Sequence, residues 1–147
     1  MDRKLIHHGG GQSKFEFCDL YTAEKDIIHV KRYGASSVLS HLFAQGVNSA
    51  ELFQTDPEFR QKVNALLPEA YQIPDPSKRP DYGEYHVVYA IVSDIDGDLE
   101  LPFFSKLSLK NARRRMEGFG YKVALSKIGV ADEMRKRQII REKINKA

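Results

Sequence analysis

From Lys14 onward, apolar and polar residues alternate as they do along a strand. Phe15, Phe17 and Asp19 would share one face, and Glu16, Cys18 and Leu20 the other. A polar turn over 22–26 leads into Ile27-Ile28-His29-Val30-Lys31, a run rich in β-branched residues. The short connection predicts an antiparallel hairpin. Gly34 ends the second strand, and Ser36 or Ser37 suits a helix N-cap. Val38, Leu39, Leu42 and Phe43 follow at helical spacing, with Gly46 as a stop and a second helical stretch from about Asn48. Thr55-Asp56-Pro57-Glu58 opens another helix, with proline at its first position and acids facing the dipole. Its apolar stripe is Phe59, Val63, Leu66 and Leu67, and Pro68 ends it.

Pro74, Pro76, Pro80 and Gly83 mark a loop over 72–83, expected to be the most mobile internal segment. The near-continuous apolar run Val87-Val88-Tyr89-Ala90-Ile91-Val92 predicts a buried central strand over 85–92. A helix is predicted over 107–117, with Leu109, Ala112, Met116 and Phe119 on one face, and a strand over 121–128. The strand–helix–strand order implies a parallel pair. The expected class is α/β, with a mixed central sheet flanked by helices. Residues 1–13, with Gly9-Gly10-Gly11, read as a flexible lead-in, 14–129 as the domain and 130–147 as a basic C-terminal helix.

Length fits this organisation, since 147 residues make one domain of ordinary size. The single cysteine, Cys18, excludes an intramolecular disulfide and is expected to be buried. No segment suits a signal peptide or a membrane span, so a cytoplasmic protein is expected. The net charge of +3 hides an asymmetry. Residues 106–147 hold 13 Lys and Arg against 4 Asp and Glu, whereas residues 1–105 are net acidic. A basic half of this kind suits a polyanion, and a solvated helical tail is the plainer alternative. Lys106, Lys110, Arg113, Arg114, Lys122 and Lys127, together with Arg32, are the candidate phosphate contacts. Phe103, Phe104 and Tyr121 lie nearby, and core packing is the simpler expectation for them.

The hairpin holds the densest chemistry. His29 and Lys31 point to one face of their strand, with Asp19 on the partner. A polar trio among apolar strand residues is costly unless it is paired, metal-bound or at a sheet end. A cross-strand Asp19–Lys31 ion pair and a hydrogen-bonded His29 are the structural alternatives.

These residues resemble the PD-(D/E)XK nucleases of the restriction-endonuclease-like fold. There an Asp ends one hairpin strand, and an acidic residue or Gln precedes Lys by two on the next. Here Asp19 is followed by His29-Val30-Lys31. The next residues, Arg32-Tyr33, and the helix after them resemble the branch that restricts modified DNA. The resemblance covers roughly residues 15–128. Phe15–Leu20, Ile27–Phe53 and Leu101–Ile128 further resemble an uncharacterised, sporadically distributed bacterial family. Its members tend to be longer and to sit in phage-defence or restriction islands.

The resemblance implies a divalent metal, Mg²⁺ or Mn²⁺, held by Asp19 and His29, with Lys31 stabilising charge on the phosphate. The implied partner is DNA or else RNA, in a homo-oligomer or a larger defence complex. Histidine departs from the family's acidic residue and favours manganese over magnesium. A non-catalytic DNA-binding or protein-interaction domain is the alternative.

Other motifs fail on spacing. His29-x-Lys31 lacks the later Asp of phospholipase D, because that position is Ser36. Ser36, Ser37 and His41 form no nucleophile elbow. Asp94, Asp96 and Asp98 lack the Gly and Glu spacing of a calcium loop. His7-His8 is a weak pair.

Overall fold

The computed structural model describes residues 5–7 and 14–130. Its strands are β1 (Leu5–His7), β2 (Lys14–Glu16), β3 (Leu20–Tyr21), β4 (Asp26–Arg32), β5 (His86–Ser93) and β6 (Lys122–Gly129). Its α-helices are α1 (Ser36–Thr55), α2 (Pro57–Leu66) and α3 (Phe103–Gly118). The class is α/β. The main sheet is open and mixed, in the order β3-β4-β5-β6. β3 runs antiparallel to β4, while β4, β5 and β6 are mutually parallel. The apolar run of β5 therefore occupies a central position, as its pattern predicted.

The hairpin is shorter than its alternation suggested. Lys14–Glu16 pairs with Leu5–His7 in a separate two-stranded ribbon, and only Leu20–Tyr21 pairs with β4. The chain breaks from the ladder at Phe17 and Cys18, both of which are buried in the core. Part of the expected lead-in is thus strand; the rest of residues 1–13 lies outside the described residues, as do 131–147 of the expected basic helix.

Register decides which side chains meet. Ile27, His29 and Lys31 stand beside Val87, Tyr89 and Ile91, and so share a face with them. That face is the one α1 and α3 cover. Tyr89 donates its hydroxyl to the Phe43 carbonyl in α1 at 2.8 Å, and its oxygen lies 3.9 Å from the Met116 sulfur in α3. Tyr121 reaches the Ala50 carbonyl at 2.8 Å. The core is built from these groups with Leu39, Phe53, Phe59 and Val63, all nearly inaccessible to solvent.

α1 does not stop at Gly46. It runs 20 residues as one helix, and the glycine is there for contact. A Cβ at position 46 would lie 2.2 Å from the Tyr89 hydroxyl oxygen, so only glycine lets this strand and helix approach so closely. The expected serine cap is also replaced. Ala35 is the N-cap and makes no side-chain cap bond. Ser36 instead meets Ser105 of α3 at 2.9 Å, and Ser40 meets Ser108 at 3.0 Å. α2 begins as predicted, with the Asp56 carboxylate accepting from Glu58 and Phe59 amides.

Sequence pattern gave no sign of Arg60, which is 1% exposed. Its guanidinium donates to the carbonyls of Phe53, Gln54 and Pro76. Asn64 holds Ile73 through its side chain in both directions. The proline-rich loop is thereby fastened to α2 at two points.

Candidate functional site

Asp19 sits in the bend just before β3. Its amide donates to the Ile28 carbonyl at 3.0 Å, and its carboxylate accepts from the Val30 amide at 2.7 Å. A side chain thus serves as acceptor for a β4 amide at the point where the hairpin ladder ends. Asp19 is thereby anchored to β4 on either side of His29, by its amide at Ile28 and its carboxylate at Val30.

His29 is 5% exposed, and its Nε2 has no hydrogen-bond partner. Its ring lies 5.9 Å from that of Tyr89. Burial pushes its pKa down to about 4, while the negative charge of Asp19 acts in the opposite direction. Desolvation wins, so the imidazole is neutral at pH 7. A neutral ring with an unpartnered nitrogen, within electrostatic reach of a carboxylate, can serve as a metal ligand. It cannot contribute a positive charge to phosphate binding.

Lys31 follows on the same face of β4 and is exposed. The structure therefore brings Asp19 and His29 within electrostatic reach and sets Lys31 two residues further along that face. Among the described residues, no group of three or more His, Cys, Asp or Glu side chains is placed to hold a metal ion. A cation bound by Asp19 and His29 would take its remaining ligands from water or from the substrate.

The basic candidates divide among several surfaces. Lys106, Lys110, Arg113 and Arg114 are exposed on α3. Arg113 is engaged by Glu117 at 2.7 Å, one turn away. Lys122 and Lys127 differ by an odd number of residues along β6 and so point to opposite faces. The Lys127 ammonium is tied to the carbonyls of Ile95 and Gly97 and braces the turn after β5. Arg32 points away from Lys31, on the other face of β4.

A model of the DUF6119 family, described as a family of unknown function, matches residues 1–129. The chain belongs to that family. No curated protein and no solved structure matches it. The DUF6119 match ends with β6 and takes in β1 and β2 as well as the main sheet. Among the described residues of this DUF6119 chain, no helix is long and apolar enough to cross a membrane.

Two features of the surface escaped the sequence reading. Asp26 and His86 meet across β4 and β5 at 3.1 Å, with Thr22 also bonded to Asp26. These two residues are distant in sequence, and no local pattern links them. Phe103 and Phe104, expected in the core with Tyr121, are 73% and 70% exposed. Only Tyr121 is buried. The phase of α3 carried the signal, because Phe103 falls opposite Ala112 and Met116 at about 100° per residue.

Proposed function

We propose that this chain is a nucleic-acid-processing domain of the metal-dependent PD-(D/E)XK nuclease type, with Asp19, His29 and Lys31 as its site. The observation that carries the reading is the unpartnered Nε2 of buried His29, within reach of the Asp19 charge. A buried polar atom without a partner costs about 1–3 kcal/mol and calls for an explanation. A coordinated cation supplies one. Support also comes from the order of elements after Asp19: an antiparallel partner strand carrying Lys31, then two helices, a parallel strand, a helix and a second parallel strand. The restriction-endonuclease-like fold and a place in phage defence belong to this same reading.

The chain's own residues have separable tasks. Asp19 keeps one oxygen on the Val30 amide, which orients the carboxylate. His29 offers a neutral nitrogen from a dry position. Lys31 holds an ammonium at the exposed end of the same face, where it would neutralise a phosphate oxygen. A bound divalent cation would supply polarisation of the phosphodiester and acidification of a water molecule. Imidazole ligation favours Mn²⁺ over Mg²⁺.

The test is cleavage of single- and double-stranded DNA and RNA with each of these cations. Asp19→Ala and Lys31→Ala should each lower the rate at least a hundredfold, with greater activity in Mn²⁺. A wild-type chain that binds neither cation and cuts no substrate would end the catalytic reading. The alternative, binding without cleavage, has its own support in the exposed basic and aromatic residues of α3.

A further inference from the structure

α3 has an inner and an outer line of residues. Ser105, Ala112 and Met116 are buried against the rest of the fold. At about 100° per residue, Phe103, Leu107, Lys110 and Arg114 fall on the opposite line, with Lys106 beside it. Phe103 and Leu107 stand there in solvent together, and the exposed Phe104 flanks them about 100° further round the helix. The rings of Phe103 and Phe104 meet edge to face at 5.5 Å. The two rings contact each other, and most of each side chain remains in solvent.

Charge narrows the choice of partner. Of the α3 cations, Arg113 is paired with Glu117 and Arg115 with Glu51, each at 2.7 Å. Lys106, Lys110 and Arg114 form no ion pair with another described residue. A purely apolar partner would cover the rings and leave these ammonium and guanidinium groups unsatisfied. A partner with flat π faces and a regular negative charge satisfies both.

We propose that the outer face of α3 binds an unpaired nucleic-acid strand, with bases stacking on Phe103 and Phe104 and phosphates lying along Lys106, Lys110 and Arg114. The proposal rests on the nucleic-acid half of the reading above and not on its metal chemistry. The strand must be unpaired, because a duplex buries its base faces in its own stack and offers only edges. Beyond the N-terminal end of α3, a cleft lined by Tyr33, Ser93, Asp96, Asp98 and Glu100 is acidic. The strand runs from the phenylalanines toward Arg114, along the line of cations.

The test uses the full chain in EDTA, where cleavage cannot confuse binding. Fluorescence anisotropy compares a labelled mixed-sequence single strand, as DNA and as RNA, with its duplex. The single strand should bind more tightly. The Phe103→Ala/Phe104→Ala double variant should lose about tenfold or more of single-strand affinity at unchanged melting temperature. Lys110→Ala or Arg114→Ala should weaken binding and lower the slope of log affinity against log salt by about one each.

Equal affinity for strand and duplex overturns the proposal, as does a double variant that binds like the wild type. A self-association seen by sedimentation and lost in the double variant, without oligonucleotide binding, also overturns it in favour of a second copy of the chain. The two readings fail separately. Binding that depends on the phenylalanines in a chain that never cleaves removes only the nuclease reading. Cleavage that depends on Asp19 but not on Phe103 and Phe104 removes only this one.

Discussion

α1 and α3 lie side by side on one face of the same sheet, joined by paired serines, yet they spend their apolar residues in opposite ways. α1 buries Leu39, Leu42, Phe43, Val47 and Phe53, and its glycine admits Tyr89. α3 docks through Ser105, Ala112 and Met116, and turns Phe103, Phe104 and Leu107 outward among basic residues. Met116 is the one large, fully buried side chain of α3, and close approach through the Ser36–Ser105 and Ser40–Ser108 contacts supplies the rest of its docking. Large apolar residues freed from the core then become available for a partner. One helix is committed to the core, and its neighbour is half-committed to the surface.

The comparison breaks most visibly if aromatic residues of the two helices are truncated in parallel. Phe43→Ala should cost about 3–5 kcal/mol, through lost burial and a cavity under α1. Chemical denaturation would read it as a lower midpoint at constant slope. A smaller loss would show that α1 is less central than its buried side chains indicate.

Acid should weaken the α1-covered face next. His29 has its pKa depressed to about 4, against 6.5 when unfolded. Between those values the unfolded chain binds the proton and the folded chain does not. Stability is therefore full above about pH 6.5 and falls as pH drops toward 4, by about 3 kcal/mol in all. His29→Gln should flatten that part of the stability–pH curve. An unchanged slope would assign the loss to other groups.

Gly46→Ala should cost about 1–3 kcal/mol of overpacking against Tyr89, less the small gain in helix propensity. Pairing it with Tyr89→Phe should recover part of the loss, because the clash is nearest the hydroxyl. On α3, by contrast, Phe103→Ala should change stability by less than about 0.5 kcal/mol. A larger effect in thermal melting would mean the ring is packed, and the contrast between the helices would disappear.

Much of the fold was legible. Helical spacing marked the helices, β-branched content marked β4 and an unbroken apolar run marked β5, because burial imposes those patterns directly. The apolar density of β5 gave its central place for the same reason. Gly46 was misread as a stop because a glycine that ends a helix and one that admits a strand look alike in sequence. The alternation through Phe15–Leu20 was misread as one strand, because alternation does not say which partner takes each residue. Of the candidate site, the residue types and the shared face of His29 and Lys31 could be read. The burial that silences the His29 charge could not.

By itself the sequence determined the class of the fold, the order of its elements from β4 to β6 apart from the length of α1, and which side chains on β4 travel together. These depend on local geometry and on the segregation of apolar residues. Tertiary structure alone decided that Arg60 would gather carbonyls from two segments, that Asp26 would find His86, and that Phe103 and Phe104 would face water while Tyr121 went inside. Those outcomes turn on pairing between distant stretches of chain, where register and helix phase combine, and no local window holds both halves of the contact.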